Sequence, residues 1–277
     1  MATTTIIYQG FDSDSFRLSP PATSIHTTPN TVTIQALPKS DYWRNPASPG
    51  EEADNRHTGA FYAVPVDGDK SFEAGVWIQG KWAAQYDQGC LMVVADDSDG
   101  KDSSWIKTGV EVDDGKEWIG GVVASHWSDW SIAPAPKNTS QLSEDPYWLF
   151  IRIVRRGPTV QVFRLYSREP FKVEDSSPDL VMIREVKGFD HHAAASSHDQ
   201  WRVGVMVCGP KSEVGSTCKA AEATGHSVIE VVSGEEGNFD IVFGLGMDCN
   251  VKHRRFIQRL VRDAFDWLKA RYKAFRC

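Results

Sequence analysis

Along most of this chain, apolar and polar residues alternate with a period of two, the mark of β-strands with one buried face. TVTIQA (31–36) alternates cleanly, and SFEAGVWI (71–78) puts Phe72, Ala74, Val76 and Ile78 on one face. The same pattern predicts strands at 88–95, 104–112, 117–125, 147–155, 159–166, 179–185, 201–208, 226–233 and 238–243. Clusters of Gly, Asp, Ser and Pro, such as DDSDGKDS, VDDGKE and APAPKNTSQLSEDP, separate them and supply turns. About a dozen short strands with turn signals and no internal repeat predict an all-β protein, a two-sheet jelly-roll sandwich.

Two segments break the pattern. Residues 38–58, PKSDYWRNPASPGEEADNRHT, are polar and rich in Pro and acidic residues, which predicts a long surface loop carrying Trp43. Near the C-terminus, Phe256, Leu260, Ala264, Trp267 and Leu268 recur at helical spacing. The expected organisation is a sandwich domain at 1–250 and a basic amphipathic helix at 251–277 packed on it. Residues 252–277 carry nine Lys/Arg against two Asp, so a chain of net charge −7 divides into a basic end and an acidic body.

That balance counts against nucleic acid as a partner. The N-terminus, MATTTIIYQG, has no basic stretch ahead of an apolar run, and no window reaches the roughly 20 apolar residues of a membrane span. A cytoplasmic protein with no membrane span is expected. The five cysteines are odd in number and lack CxxC spacing, which predicts reduced thiols, with Cys90 and Cys208 as small core residues. His191, His192 and His198 lie near Asp190 and Asp199 but match no zinc spacing. GLGMDC lacks the dinucleotide-binding pattern, and no P-loop, HExxH or nucleophile elbow occurs. No metal and no cofactor are expected.

The chemistry concentrates in WIKTGVEV (105–112). In an extended strand Ile106, Thr108, Val110 and Val112 share one face, which reads as core. The other face holds Trp105, Lys107, Gly109 and Glu111: an indole, an ammonium, a gap and a carboxylate. It is either a solvated face with cross-strand ion pairs or the wall of a pocket. YDQG (Tyr86, Asp87, Gln88) and SHWSDW (His126, Asp129, Trp130) supply further polar and aromatic groups. Such a set suits a ligand with an apolar ring face and an oxygen-rich edge. Ser128 with His126 and Asp129 is too local for a triad. Glu111 and Asp113 stand at the alternate spacing of a retaining glycosidase pair, but DDG also reads as a hairpin turn at Asp114-Gly115.

YDQGCLMV, SSWIKTGVEVDDG, VVASHWSDWS and GVMVCGP, with SDYWRNP (40–46) and RLYSREP (164–170), resemble in order the motifs of the regulation-of-enolase-protein-like family, a domain-of-unknown-function family. The resemblance spans roughly residues 30–245 and implies a concanavalin A-like lectin/glucanase sandwich. It further implies a concave sheet onto which Trp43, Arg44, Asp87, Gln88, Trp105, Lys107, Glu111, Asp129 and Trp130 converge. DQGC and SREP depart from the family pattern near that face, and the C-terminal helix lies outside it.

The expected function is intracellular binding of a small molecule or carbohydrate-like ligand in this cleft, with acid/base catalysis of isomerase, cyclase or lyase type. Lys107, Glu111 and Asp129 are the expected catalytic residues. Trp43, Arg44, Tyr86, Asp87, Gln88, Trp105, His126 and Trp130 are the expected ligand-binding residues. The alternatives are a non-catalytic regulator with a metabolic enzyme as its partner and a glycoside-active enzyme.

Overall fold

A computed structural model describes residues 5–8, 10–68, 70–95, 103–189, 200–221 and 229–232. The expected strand at 238–243 and the expected helix at 251–277 lie outside them. The described residues form two large antiparallel sheets and a small strand pair, with no helix among them and hence none long and apolar enough to cross a membrane.

One sheet has nine strands. Its main path runs β15 (Val181–Lys187), β14 (Thr159–Ser167), β13 (Trp148–Arg156), β8 (Ser71–Lys81), β17 (Thr217–Ala221), β4 (Thr31–Gln35) and β3 (Ser24–Thr27). Strand β18 (Ile229–Val232) also pairs with β8 and with β1 (Thr5–Tyr8). The other sheet has seven: β12 (Ser128–Pro134), β11 (Lys116–Ala124), β10 (Ser104–Asp113), β9 (Gln88–Ala95), β16 (Gln200–Cys208), β7 (Ala60–Asp67) and β2 (Arg17–Leu18). The expected all-β sandwich is what forms.

Period-two alternation builds the core between the sheets. Phe72, Ala74, Val76 and Ile78 of β8 and Ile151 and Ile153 of β13 meet Leu91 and Val93 of β9, Ile106 and Val110 of β10, and Val203 and Val205 of β16. Each of these side chains is buried, and their non-directional burial holds the layers together. The outer face of the nine-stranded sheet is sealed by the segment after β14. Trp77, Phe150 and Leu165 pack there with Val173 and Leu180, and the Trp77 indole donates to the Phe171 carbonyl at 3.0 Å.

Several strands escape the alternation rule. Strand β7 is buried on both faces, so it shows no period, and Pro65 argues against a strand there. Strand β12, within the SDWS motif, is mostly half-buried or exposed. The larger correction concerns 38–58. Instead of a surface loop, it contains β5 (Tyr42–Asn45) paired with β6 (Asp54–His57). This hairpin lies on the outer face of the seven-stranded sheet, where Tyr42 joins Met92, Trp105, Met206 and Cys208 in a second apolar cluster. Its polar groups find partners there. The Arg44 amide donates to Ser128 Oγ at 2.9 Å, and its guanidinium donates to the Ser103 carbonyl at 3.2 Å.

The turn after β10 forms at Asp114-Gly115, with φ of 49° and 68° and Asp113 opposite Lys116. Two positive φ values in a two-residue loop match the right-handed twist of the strands. Within β10, Gly109 is required by close approach, since a Cβ there would stand 2.1 Å from the Gly89 carbonyl oxygen. Gly109→Ala should force β9 and β10 apart and cost roughly 1–3 kcal/mol, read as a lowered urea midpoint. An unchanged midpoint would show that the strand spacing is softer than this contact implies.

Candidate functional site

Strand β10 sorts its side chains between two environments. Ile106, Val110 and Val112 enter the core, whereas Trp105 enters the cluster beneath the hairpin. Lys107 shares the Trp105 face and is only 1% exposed. Its Nζ stands 3.7 Å from Asp41 Oδ1 and 5.7 Å from the centroid of the Trp105 ring. The ammonium is thus held by one carboxylate and one aromatic face.

Asp41 is delivered by the chain just ahead of β5. Its Oδ1 accepts from the Tyr42 amide at 2.8 Å and lies 3.8 Å from the Cys208 thiol. Its Oδ2 pairs at 3.1 Å with Arg56 of β6, which also pairs with Asp54 at 2.7 Å. Asp41 therefore has two cationic partners, while among the described residues it is the only ion-pair partner of Lys107.

A cavity of about 290 Å³ opens above these groups. Asp41, Trp43 and Arg56 line it from the hairpin segment, Tyr86 and Gln88 from the start of β9, Lys107 and Glu111 from β10, Trp130 from β12, and Pro210 and Lys211 from the loop after β16. Glu111 is half-buried, and its Oε2 accepts from the Trp130 indole at 2.9 Å. Tyr86 meets the Trp130 ring edge-on, with centroids 6.3 Å apart. Tyr86 has a φ of 66°, a strained value for a bulky residue. Hydrogen bonds from the Tyr86 amide to the Val112 carbonyl and from the Val112 amide to the Asp87 carbonyl hold it.

Six of the expected site residues line the cavity: Trp43, Tyr86, Gln88, Lys107, Glu111 and Trp130. The other five lie elsewhere. Arg44 turns to the opposite side of the hairpin and donates to Asn55 and Ser103. Asp87 accepts from the Ala83 and Ala84 amides and shapes the turn before β9. Trp105 lies beneath Lys107, and its buried indole N–H meets no acceptor among the described residues. His126 is exposed beside Trp127. Asp129 points away from Trp130 on β12 and pairs with Arg184 of β15 at 2.9 Å.

Asp41, Arg56, Pro210 and Lys211 were not anticipated. Asp41 carried a signal, since it stands two residues before Trp43 and so shares its face in an extended chain. Arg56 carried none, because it reaches the site only through its pairing with Trp43 in the hairpin. The suggested pair Glu111 and Asp113 is divided by its bonds. Glu111 is held by Trp130, and Asp113 accepts from the Gln85 side chain.

Burial pushes the Cys208 thiol well above its ordinary pKa, and it pushes Cys90 up to about 12. Both are neutral thiols at neutral pH. Burial also opposes the charge on Lys107, but the combined pull of Cys208, Asp41, Glu111 and Cys90 outweighs it and raises the pKa. With the thiols neutral, the Asp41 and Glu111 carboxylates are the charges that keep Lys107 an ammonium. Burial likewise raises the Glu111 pKa, and the Asp41 and Asp113 charges add to this, against the lowering effects of Lys107 and of the Trp130 hydrogen bond. The site thus pairs a fixed cation with a carboxyl group displaced toward neutral pH.

The family described as "Protein of unknown function (DUF1349)" matches residues 18–224. Regulation of enolase protein 1 of Saccharomyces cerevisiae is 29% identical over 188 residues, covering 68% of this chain and 78% of that protein. A solved structure of a functionally unknown protein from Saccharomyces cerevisiae superposes with a TM-score of 0.58 at 21% identity, over 80% of this chain and 98% of that one. A GH43 protein of Bacillus licheniformis gives a TM-score of 0.50 at 11% identity, over 81% of this chain and 38% of that one. At these identities the two structures show a shared sandwich fold and nothing about activity.

The unequal partnering of Lys107 and Asp41 predicts unequal mutants. Asp41→Asn leaves Lys107 buried without an adjacent anion and should cost about 3–5 kcal/mol. Lys107→Met replaces the ammonium by an apolar chain and leaves Asp41 its Arg56 partner, so it should cost clearly less. Urea denaturation of both variants reads the difference, and equal losses would show that Arg56 does not compensate Asp41.

A raised Glu111 pKa means that folding favours the protonated acid. The stability it contributes is present below the ordinary value of 4.5 and is lost as pH rises through the folded pKa. Glu111→Gln mimics the neutral form, so it should raise the melting temperature at neutral pH and leave it unchanged well below 4.5. A variant no more stable than wild type at neutral pH contradicts the shift.

Proposed function

The chain belongs to the DUF1349 family, a family of unknown function, and from the chemistry of its pocket we propose that it binds a ring-bearing, oxygen-rich small molecule and acts on it by acid/base chemistry. The observation that carries this reading is Lys107, an ammonium with a 2% exposed side chain that nevertheless lines an open cavity. Burying an ion costs several kcal/mol, and an apolar residue at this position would avoid that cost. A charge kept there at the wall of a cavity is suited to contact something that enters it.

The cavity is at the small end of ligand sites, near about 300 Å³. Trp43, Tyr86 and Trp130 offer aromatic surface to a ring, and Lys107, Gln88 and Glu111 offer donors and acceptors to its edge. A sugar-like metabolite or another small cyclic compound suits this lining. Lys107 is the fixed donor, Glu111 the group that gives or takes a proton, and Asp41 the group that positions Lys107. Asp129, paired with Arg184, is given no catalytic role. In this reading the protein works in the cytoplasm, where its buried free thiols Cys90, Cys208 and Cys218 stay reduced. No bound metal or cofactor is invoked.

A second reading, non-catalytic control of a metabolic enzyme, draws on the name of the Saccharomyces cerevisiae relative. The two separate in a thermal-shift screen of cyclic sugars, sugar acids and cyclic ketones run on wild type and Lys107→Met. A true ligand at about 100 times its Kd stabilises wild type by roughly 2.7 kcal/mol. The pocket reading expects such a shift in wild type and its loss in Lys107→Met. A panel with no effect, or a shift retained by the mutant, favours the regulator reading.

A further inference from the structure

We propose that the substrate of this pocket is an enolisable cyclic carbonyl compound, with its carbonyl oxygen on the Lys107 ammonium and the acidic carbon beside that carbonyl facing Glu111. The proposal rests on the binding reading above and narrows it to one chemical class and one step.

Three features carry it. First, the nearest anion to Lys107 is at 3.7 Å, beyond hydrogen-bond distance, so its N–H donors remain available to the cavity. Asp41 already balances its charge, and a neutral oxygen such as a carbonyl is therefore a better complement than a second anion. Second, Glu111 commits only Oε2 to the Trp130 indole, and among the described residues no hydrogen bond reaches Oε1. Third, Lys107 and Glu111 stand on one face of β10 with only Gly109 between them on that face, where the backbone of β9 approaches closely. Donor and base stand in line along one rigid strand, and Trp43 and Trp130 supply surface for the ring.

The step balances within the site. Glu111 Oε1 takes the proton from the carbon next to the carbonyl. The electron pair of the broken C–H bond forms a C=C bond, and the carbonyl π electrons move onto oxygen. The resulting enolate oxygen accepts a hydrogen bond from the Lys107 ammonium, whose charge is fixed before the reaction begins. Return of the proton to the same carbon regenerates the ketone, and delivery to another carbon of a conjugated system gives its isomer. No oxidant, metal or nucleotide enters the balance. A Glu111 pKa raised above the ordinary carboxylate value strengthens it as a base while leaving it ionised at higher pH.

The test uses the full chain and 2-tetralone, an uncharged benzo-fused cyclic ketone with an acidic benzylic carbon beside its carbonyl. Binding is read from the tryptophan fluorescence. Proton transfer is read by NMR as deuterium entering the benzylic carbon from heavy water. Wild type should be quenched by the ketone and accelerate exchange on the order of 10²-fold over Glu111→Gln, the usual contribution of a positioned acid/base group. The wild-type rate should rise with pH through the ionisation of Glu111 and then level off. Lys107→Met should also lose exchange. Should that variant misfold, Glu111→Gln, which can still accept the Trp130 hydrogen bond, keeps the test intact.

Quenching with exchange no faster than in Glu111→Gln overturns the enolisation step and leaves the binding reading standing. No quenching of wild type overturns the substrate class, and the thermal-shift panel then judges the binding reading by itself.

Discussion

A buried ammonium on the second face of a β-sheet is the constraint on which the rest of this structure depends. Removing Lys107 from water costs several kcal/mol, and the sheet itself offers it neutral thiols, an indole and the Glu111 carboxylate, which stands farther off than Asp41. The adjacent carboxylate comes from outside the sheet. Asp41 reaches it because the chain folds β5 and β6 over β9, β10 and β16, with Tyr42 seated among Met92, Trp105 and Met206. The polar 38–58 stretch is thereby ordered by what it covers. Arg56 then fixes the far oxygen of Asp41, so one acid ties hairpin and sheet together. The same hairpin that neutralises the charge also walls the cavity.

Much of this was readable in the sequence, and what was not has a definable cause. The alternation of β8 and β10 identified the core faces, and the outward face of β10 named Lys107 and Glu111 before any contact was known. Strand β7 was invisible because both of its faces are buried, which removes the period. The hairpin was invisible because its stability lies in side chain to backbone bonds with distant strands, such as Arg44 to Ser103. Arg56 enters the site through hairpin register, and Lys211 through the placement of a loop. Local periodicity carries no information about either. Asp129 is the reverse case. Its motif neighbour Trp130 faces the cavity, and a strand must point adjacent residues to opposite sides.

The two outer faces of the sandwich follow different rules. On the nine-stranded sheet, Trp77 is fully buried and its indole is satisfied by the Phe171 carbonyl, while Arg152 is held by Glu73 and Asp175. Trp77 and Arg152 each reach a partner in the covering segment, Phe171 and Asp175. On the seven-stranded sheet, the cover stops at Trp43 and Arg56, and beyond them Lys107 and Glu111 face open space. The Trp105 indole N–H meets no acceptor among the described residues. A protein optimised only for stability would close such a face, because unsatisfied buried polar groups cost about 1–3 kcal/mol each. Unsatisfied buried polar atoms occur on both sheets, so what sets this face apart is an ammonium and a carboxyl group left facing a cavity.

The cavity also joins a rigid half to a compliant half. Lys107 sits on β10, which is paired on both sides by β9 and β11, and its neighbours Trp105 and Cys90 are buried. Nothing in that arrangement allows the ammonium to move far. Glu111 is tied instead to Trp130, which is 37% exposed on β12, the edge strand that pairs only with β11 among the described strands. Edge strands hold fewer ladder bonds and open more readily than central ones. Tyr86, strained at positive φ, presses against the same indole, so the aromatic pair at the mouth is held by contacts weaker than those at the floor. A charge that must stabilise a developing anion gains from being immobile, since no energy is then spent reorienting it. A carboxylate that must reach a carbon and release it gains from an anchor that yields. Both side chains spring from the central strand β10, and only the carboxylate of Glu111 is tethered to the edge, through the Trp130 indole.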